Sequence, residues 1–223
     1  MSDAVCKPGK ARPLDIPVLQ VGPDFAHFAP APIPDTCLEH VVDLARLTPS
    51  EWNFQPWRWI VVRSEAGKQQ LESAVYIPVP LSDAPAVLVC LSDTHAWKSA
   101  PQHLQEMVAN KKMTEQEARE ALGKIREYYS ISPEIAKRAA LANAFVALHQ
   151  MLLAAAECKL SAYWVTEFNE PKVKTDFHIP DQFLVAALLA IGYRDDSLLP
   201  PVSKLPLQSL VYEEKFGENF QPK

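Results

Sequence analysis

A layered fold of helices and strands around one sheet, α+β or α/β in class, is predicted by three features of this 223-residue sequence. Short apolar runs rich in β-branched residues alternate with helical segments. The stretch 134–158 is apolar almost all round. Prolines, twenty against only six glycines, crowd both ends and keep helix interiors and central strands out of them. Residues 1–33 therefore read as an extended arm, 34–195 as the folded domain and 196–223 as a second arm.

In chain order, Pro34-Asp35-Thr36 opens a helix whose Leu38, Val41, Val42, Leu44 and Ala45 share one face, and Pro49 ends it. Residues 59–63 and 86–91 are short, nearly continuous apolar runs, the pattern of strands buried on both faces. A short helix fits between them at 68–73. The region 98–130 is helical and mostly polar; Thr114 and Glu117 form a capping-box pattern, and Ala118, Leu122, Ile125 and Tyr129 make one narrow stripe. Its glutamates and arginines read as a solvated face. The helix 134–158 has no polar face, so it must be buried on every side, either centrally or against a second subunit. Within it, His149 reads as a core or interface residue. A strand at 162–166, a short helix at 170–177 and a strongly apolar strand at 183–191 complete the order.

Composition removes several classes of function. The chain is 48% hydrophobic with a net charge of −5 and no basic run, so it lacks the electrostatic footprint of a nucleic-acid binder. Cys6, Cys37, Cys90 and Cys158 stand singly, without metal-ligand spacing, and the last two lie in apolar runs as small core residues. No window reaches the ~18 apolar residues of a membrane span, nor do residues 1–20 hold a signal-type stretch. The expected compartment is a reducing cytoplasm. The glycine-rich loops of dinucleotide and triphosphate binders are absent, as is the nucleophile elbow.

What remains is the loop in "PSEWNFQPWRW", 49–59, held between a helix stop and a buried strand. Such a loop can aim polar side chains rather than solvate them. Asn53 and Gln55 each carry donor and acceptor groups suited to the edge of a planar heterocycle, while Trp57 and Trp59 anchor the strand. An ordered turn with tryptophan packing is the plainer alternative.

Residues 45–62, "ARLTPSEWNFQPWRWIVV", resemble a conserved-pattern segment of the FMN-dependent nitroreductase superfamily, A-R-x-x-P-S-x-x-N-x-Q-P-W-x-F-x-V-V. Three further segments are similar in the right order: "AALANAFVALHQMLLAAAECKLSAYWVTEF", "LVAALLAIGY" and "SKLPLQSLV". The resemblance covers roughly 34–212. It implies an α+β, nitroreductase-like three-layer fold, with a central mixed sheet flanked by helices, a long buried dimer-interface helix and extended terminal arms that wrap the partner. It also implies a homodimer with FMN at the interface, reduced by NAD(P)H and reoxidised by a small electron-poor acceptor, a nitroaromatic, quinone or enone, in ping-pong fashion. Other flavin chemistry of the superfamily (dehalogenation, dehydrogenation, flavin breakdown) and a dimeric binding protein without productive FMN remain alternatives.

By the same resemblance, Pro49, Ser50 and Glu51 approach the flavin, and Asn53 and Gln55 shape or contact its site. The backbone of Val165, Thr166 and Glu167 runs along the ring, with an N–H at or near Thr166 bonding flavin N5 and tuning its potential. Lys204 matches the phosphate-binding base. Region 98–130 occupies the place of the lid, with His95, Trp97, His103, Tyr128 and Tyr129 as lid residues. Two departures stand out. Where the family carries R-R-S-x-R-x-F, this chain has "GPDFAHF", 22–28, and only Phe28 agrees. Each lost charge-assisted bond contributes ~1.5–3 kcal/mol, so losing two weakens FMN about a hundredfold unless His27, Arg12, Lys10, Arg138 or Arg194 substitutes. And "KLSAYW" replaces G-L-G-x-x-W, which puts Lys159 in a left-handed conformation at ~1 kcal/mol.

Overall fold

Pro34 and Pro49 bracket the first helix as the sequence predicts. In the computed structural model, which describes residues 28–193 and 205–220, α1 (Asp35–Arg46) begins directly after Pro34 and closes at Leu47. Its Leu38, Val41 and Ala45 are buried at helical spacing. The second helix, α2 (Glu65–Glu72), starts earlier than periodicity alone predicts, because the Ser64 side chain caps it by accepting from Gly67 N–H. The polar region resolves into α3 (Ala100–Ala109) and α4 (Glu115–Ser130), and the capping box at Thr114 and Glu117 makes both of its bonds. The long apolar helix is α5 (Pro133–Glu157), and α6 (Glu170–Asp176) is short.

Four strands form one sheet: β1 (Trp57–Val62), β2 (Ala86–Asp93), β3 (Ser161–Val165) and β4 (Phe183–Gly192), in the order β1-β2-β4-β3. All three strand pairs run antiparallel, so among the described residues the sheet is antiparallel rather than mixed. The physical reason is that apolar runs report burial and not direction. Val87, Val89, Leu188 and Ala190 face one core with Leu71 of α2 and Val173 of α6. Leu88, Ala187, Leu189 and Ile191 face the other with α1 and α5. A sheet covered on both faces needs apolar residues at every position, whichever way its strands run.

The two ends of the domain are pinned by small, specific devices. Phe28, the one residue of its segment that follows the family pattern, is buried and stacked on Tyr163 at 5.5 Å. Gly192 must be glycine, because a Cβ there would meet Pro85 Cδ at 2.5 Å and the Phe28 ring at 2.7 Å. At the end of α5, Lys159 does take a left-handed conformation, φ 58°. The amides of Lys159 and Leu160 return to the carbonyls of Ala156 and Ala155, a helix-ending turn that usually employs glycine.

Helix α5 departs from expectation. It packs against α1 and the sheet, but Arg138, Ala142, Val146 and His149 are exposed along one side, with Val146 52% accessible. His149 is thus outside the core of the single chain. α5 is also long and apolar enough to cross a membrane by length and composition, and its packing on α1 and the sheet accounts for much of that apolarity. Cys158 is half-buried at the C-cap of α5, not in the core, whereas Cys90 is buried in β2.

Candidate functional site

The loop after α1 folds through an unusual run of backbone conformations. Trp52, Asn53 and Gln55 take φ of 50°, 59° and 47°, a region that costs non-glycine residues of order 1 kcal/mol or more each. Local bonds offset this strain. Ser50 Oγ accepts the Gln55 amide at 3.0 Å, and the Asn53 and Phe54 amides donate to the carbonyls of Ser50 and Glu51. Phe54 is buried and acts as a plug, and the Arg58 guanidinium donates to the Gln55 carbonyl at 3.0 Å.

Two distant helices then hold the loop from outside. Glu51 N–H donates to Asn143 Oδ1 of α5 at 3.1 Å, while Asn143 Nδ2 donates to Ala139 O at 2.7 Å, so this amide spans loop and helix. Tyr129 of α4 donates its hydroxyl to Glu51 Oε2 at 2.9 Å. Burial, then the hydrogen bond to Glu51, push the Tyr129 phenol well above its ordinary pKa, which keeps it a donor. Asn143 was visible in the sequence only as an interruption of an apolar helix. A polar group on such a helix needs a partner, but nothing in the sequence says which.

The lid residues divide. Trp97 stacks on Tyr129 at 5.5 Å with 7° between the planes, and Phe54 meets both Tyr129 and His103. The space among Phe54, Pro56, Trp97, Tyr129 and Asn143 is about 10 Å³, at or below what one water requires. Trp97 and Tyr129 pack around this space and seat the lid on the loop, with His103 beside Phe54. Tyr128 is 43% exposed on the adjoining surface, and His95 is exposed too.

Of the expected site residues, Pro49, Ser50, Glu51, Asn53 and Gln55 form this one preset loop. Pro49, Glu51 and Asn53 are exposed, and the Asn53 side chain has no protein partner among the described residues. Val165 is buried at the end of β3, followed by exposed Thr166 and Glu167. The Thr166 amide is not tied into the sheet; it donates to Glu167 Oε2 at 3.3 Å. Strand register places the start of β1 and the end of β3 at the same end of the sheet but on opposite edges. Three strand spacings across the sheet, roughly 14 Å, separate them, and the end of β3 stops at the level of Leu188 while β1 starts at the level of Leu184, roughly 13 Å further along. Within one chain the two groups do not converge. His27 and Lys204 lie outside the described residues, as do Lys10, Arg12 and Arg194; Arg138 is exposed on α5. A hollow of about 720 Å³ runs along α1 and the outer edge of β1 past His40, Val61 and Arg63, away from the site residues. Among the described residues no cluster suits a metal ion.

Fold and loop define a class: an α+β domain that offers preset polar groups at one end of a sheet covered on both faces. The family model for the Nitroreductase family matches residues 27–193, and the chain belongs to this family of oxidoreductases. Over 180 residues it is 28% identical to a Thermus thermophilus protein named NADH dehydrogenase, an alignment that spans 81% of this chain and 86% of that one. Its fold matches that of the ydfN protein of Bacillus subtilis, with TM-score 0.78, 23% identity and 84% and 92% of the two chains covered. It also matches a protein of Exiguobacterium sibiricum solved in complex with FMN, with TM-score 0.73, 21% identity and 85% and 91% covered.

Proposed function

We propose that the protein is an FMN-dependent oxidoreductase that passes electrons from NADH or NADPH to a small electron-poor acceptor, a nitroaromatic, quinone or enone, by a ping-pong sequence at one site. The observation that carries this reading is the preset loop, in which strain and two outside anchors hold Ser50, Asn53 and Gln55 at a surface with side-chain groups still to satisfy. Family membership and the NADH-named relative support it.

The residues present fit a flavin. Asn53 and Gln55 supply amide donors and acceptors for a ring edge that alternates N–H and C=O groups. The Thr166 N–H has only an exposed carboxylate as its acceptor, one that a ring nitrogen can replace. FMN, when bound, supplies the redox chemistry by holding two electrons between donor and acceptor. The chain contributes position and electrostatics. Thr166 N–H would donate to the ring N5 and tune its potential, and the backbone of Val165 and Glu167 would run along the ring. Ser50, Asn53 and Gln55 take the opposite edge with Pro49, and Glu51 fixes the loop, since its carboxylate and amide are already committed. Lys204 and His27 are assigned to the phosphate.

We further place the site between two copies of the chain. One chain leaves the loop and the β3 end on opposite sheet edges, and it leaves one side of α5 uncovered. Leu205, Leu207, Leu210 and Phe216 of the C-terminal segment are also exposed, Phe216 by 90%, which suits an arm laid on a partner. The compartment is read as a reducing cytoplasm, which suits Cys37, Cys90 and Cys158 as free thiols in the resting chain.

Titrating the purified chain with FMN tests the reading. Saturable uptake of one FMN per chain, with quenched flavin fluorescence and a shifted visible band, is expected. A chain that takes up no FMN favours instead a binding protein, the reading that the missing basic cluster at 22–28 supports.

A further inference from the structure

Outside the flavin loop, the first turn of α1 and the C-cap of α5 bring two thiols together across 121 residues of sequence. Cys158 Sγ lies 4.0 Å from the Cys37 carbonyl oxygen, so the C-cap of α5 sits directly against the residue that carries the second thiol. Both are half-buried against the core shared by α1, α5 and the sheet, so a small oxidant reaches them. One turn along α1, His40 Nε2 meets Glu157 Oε2 at 2.9 Å, and this contact holds the two helix ends in register beside the thiols. At the opposite end of the same antiparallel helix pair, the Glu51–Asn143 bond performs the matching task.

We propose that Cys37 and Cys158 are a peroxide-oxidisable dithiol that closes to an intramolecular disulfide and staples the start of α1 to the end of α5. Burial, then the neighbouring Cys37, push the Cys158 thiol up to about 11, which makes it the weaker first nucleophile, so it acts second and gives its proton to the leaving hydroxide. Cys37 is the attacking group. Its thiolate displaces hydroxide from hydrogen peroxide: an S–O bond forms, the O–O bond breaks, and the hydroxide takes up the thiol proton as water. Cys158 Sγ then attacks Cys37 Sγ; the S–S bond forms and the S–O bond breaks. The second hydroxide leaves with the Cys158 proton as another water. Two thiols and one peroxide thus give one disulfide and two waters, with two electrons passing from sulfur to oxygen.

The function of the staple follows from what it encloses. The closed loop contains the flavin loop, β1, β2 and Asn143, so the disulfide removes conformational freedom from the unfolded chain and resists separation of α1 from α5. It does not depend on the flavin reading, because neither cysteine belongs to the loop or to the end of β3.

The test uses the full chain, reduced, desalted and exposed to hydrogen peroxide, then alkylated and digested without reductant. The expected result is loss of the mass of two hydrogens, two fewer alkylated thiols, and one cross-linked peptide joining Cys37 to Cys158 that dithiothreitol opens. The oxidised chain should melt about 5 °C or more above the reduced one. Cys158→Ser should trap Cys37 as a sulfenic acid that reacts with dimedone, and Cys37→Ser should abolish both adduct and cross-link. A bridge from either cysteine to Cys6, a bridge between chains, or overoxidation of Cys37 with no cross-link in the unsubstituted protein overturns the proposal. The mapping on that unsubstituted chain decides the matter even where a variant folds poorly.

Discussion

At the scale of single residues, Glu51 joins three parts of the molecule: its amide is bound by Asn143, its carboxylate by Tyr129, and its carbonyl by Phe54 N–H. Tyr129→Phe keeps the stack on Trp97 and removes only the hydroxyl, so it isolates the link between lid and loop. A hydrogen bond to a charged group contributes ~1.5–3 kcal/mol, and the variant should bind FMN about tenfold more weakly in a fluorescence titration. An unchanged affinity would detach the lid from the site. Because burial and Glu51 raise the phenol's pKa, this contribution is full below the unfolded value of 10.0 and is lost only as pH rises through the folded value. The difference between Tyr129→Phe and the parent should therefore stay constant from about pH 6 to 9. Asn143→Ala leaves the Glu51 amide without an acceptor, at ~1–3 kcal/mol, and should lower the melting temperature by several degrees.

At the scale of elements, helices and strands were legible where local chemistry decides them. Pro34, Pro49, Thr114 and Glu117 mark boundaries through rules that act within a few residues, and the structure keeps each of them. The start of α2 was less so, since Ser64 caps it ahead of the apolar pattern. Strand direction was not legible at all, because burial on both faces produces the same apolar run in either sense. The α4 cap also carries a pH signature. Bonds from Thr114 N–H and its hydroxyl hold the Glu117 carboxyl below its usual value of 4.5. The cap's contribution is thus present above that pH and is lost as pH falls through the lowered folded value. Protection of the first turn of α4 against hydrogen exchange, corrected for the intrinsic pH dependence of amide exchange, should fall on acidification in the parent. In Thr114→Ala it should already be low at neutral pH, and equal protection in both proteins at neutral pH would remove the cap from the account.

At the scale of the whole molecule, the polar loop was legible as a site because helix stop, amide-rich turn and buried strand are adjacent in sequence. Its support was not. Asn143 and Tyr129 reach Glu51 from 92 and 78 residues away, and such pairings belong to tertiary structure. The uncovered side of α5 makes the same point in reverse: the sequence showed a helix without a polar face, and the single chain shows which side remains open. For the proposed dimer, Val146→Arg on that side should shift light scattering from a dimer mass in the parent to a monomer mass and weaken FMN retention with it. A variant that stays dimeric would move the interface elsewhere.

The central claim is electron transfer through bound FMN, and anaerobic stopped-flow on the FMN-loaded protein tests it most directly. The account predicts that NADH or NADPH bleaches the flavin absorbance with saturating kinetics and that a quinone added afterwards restores it in full. Flavin absorbance that neither nicotinamide alters would contradict it.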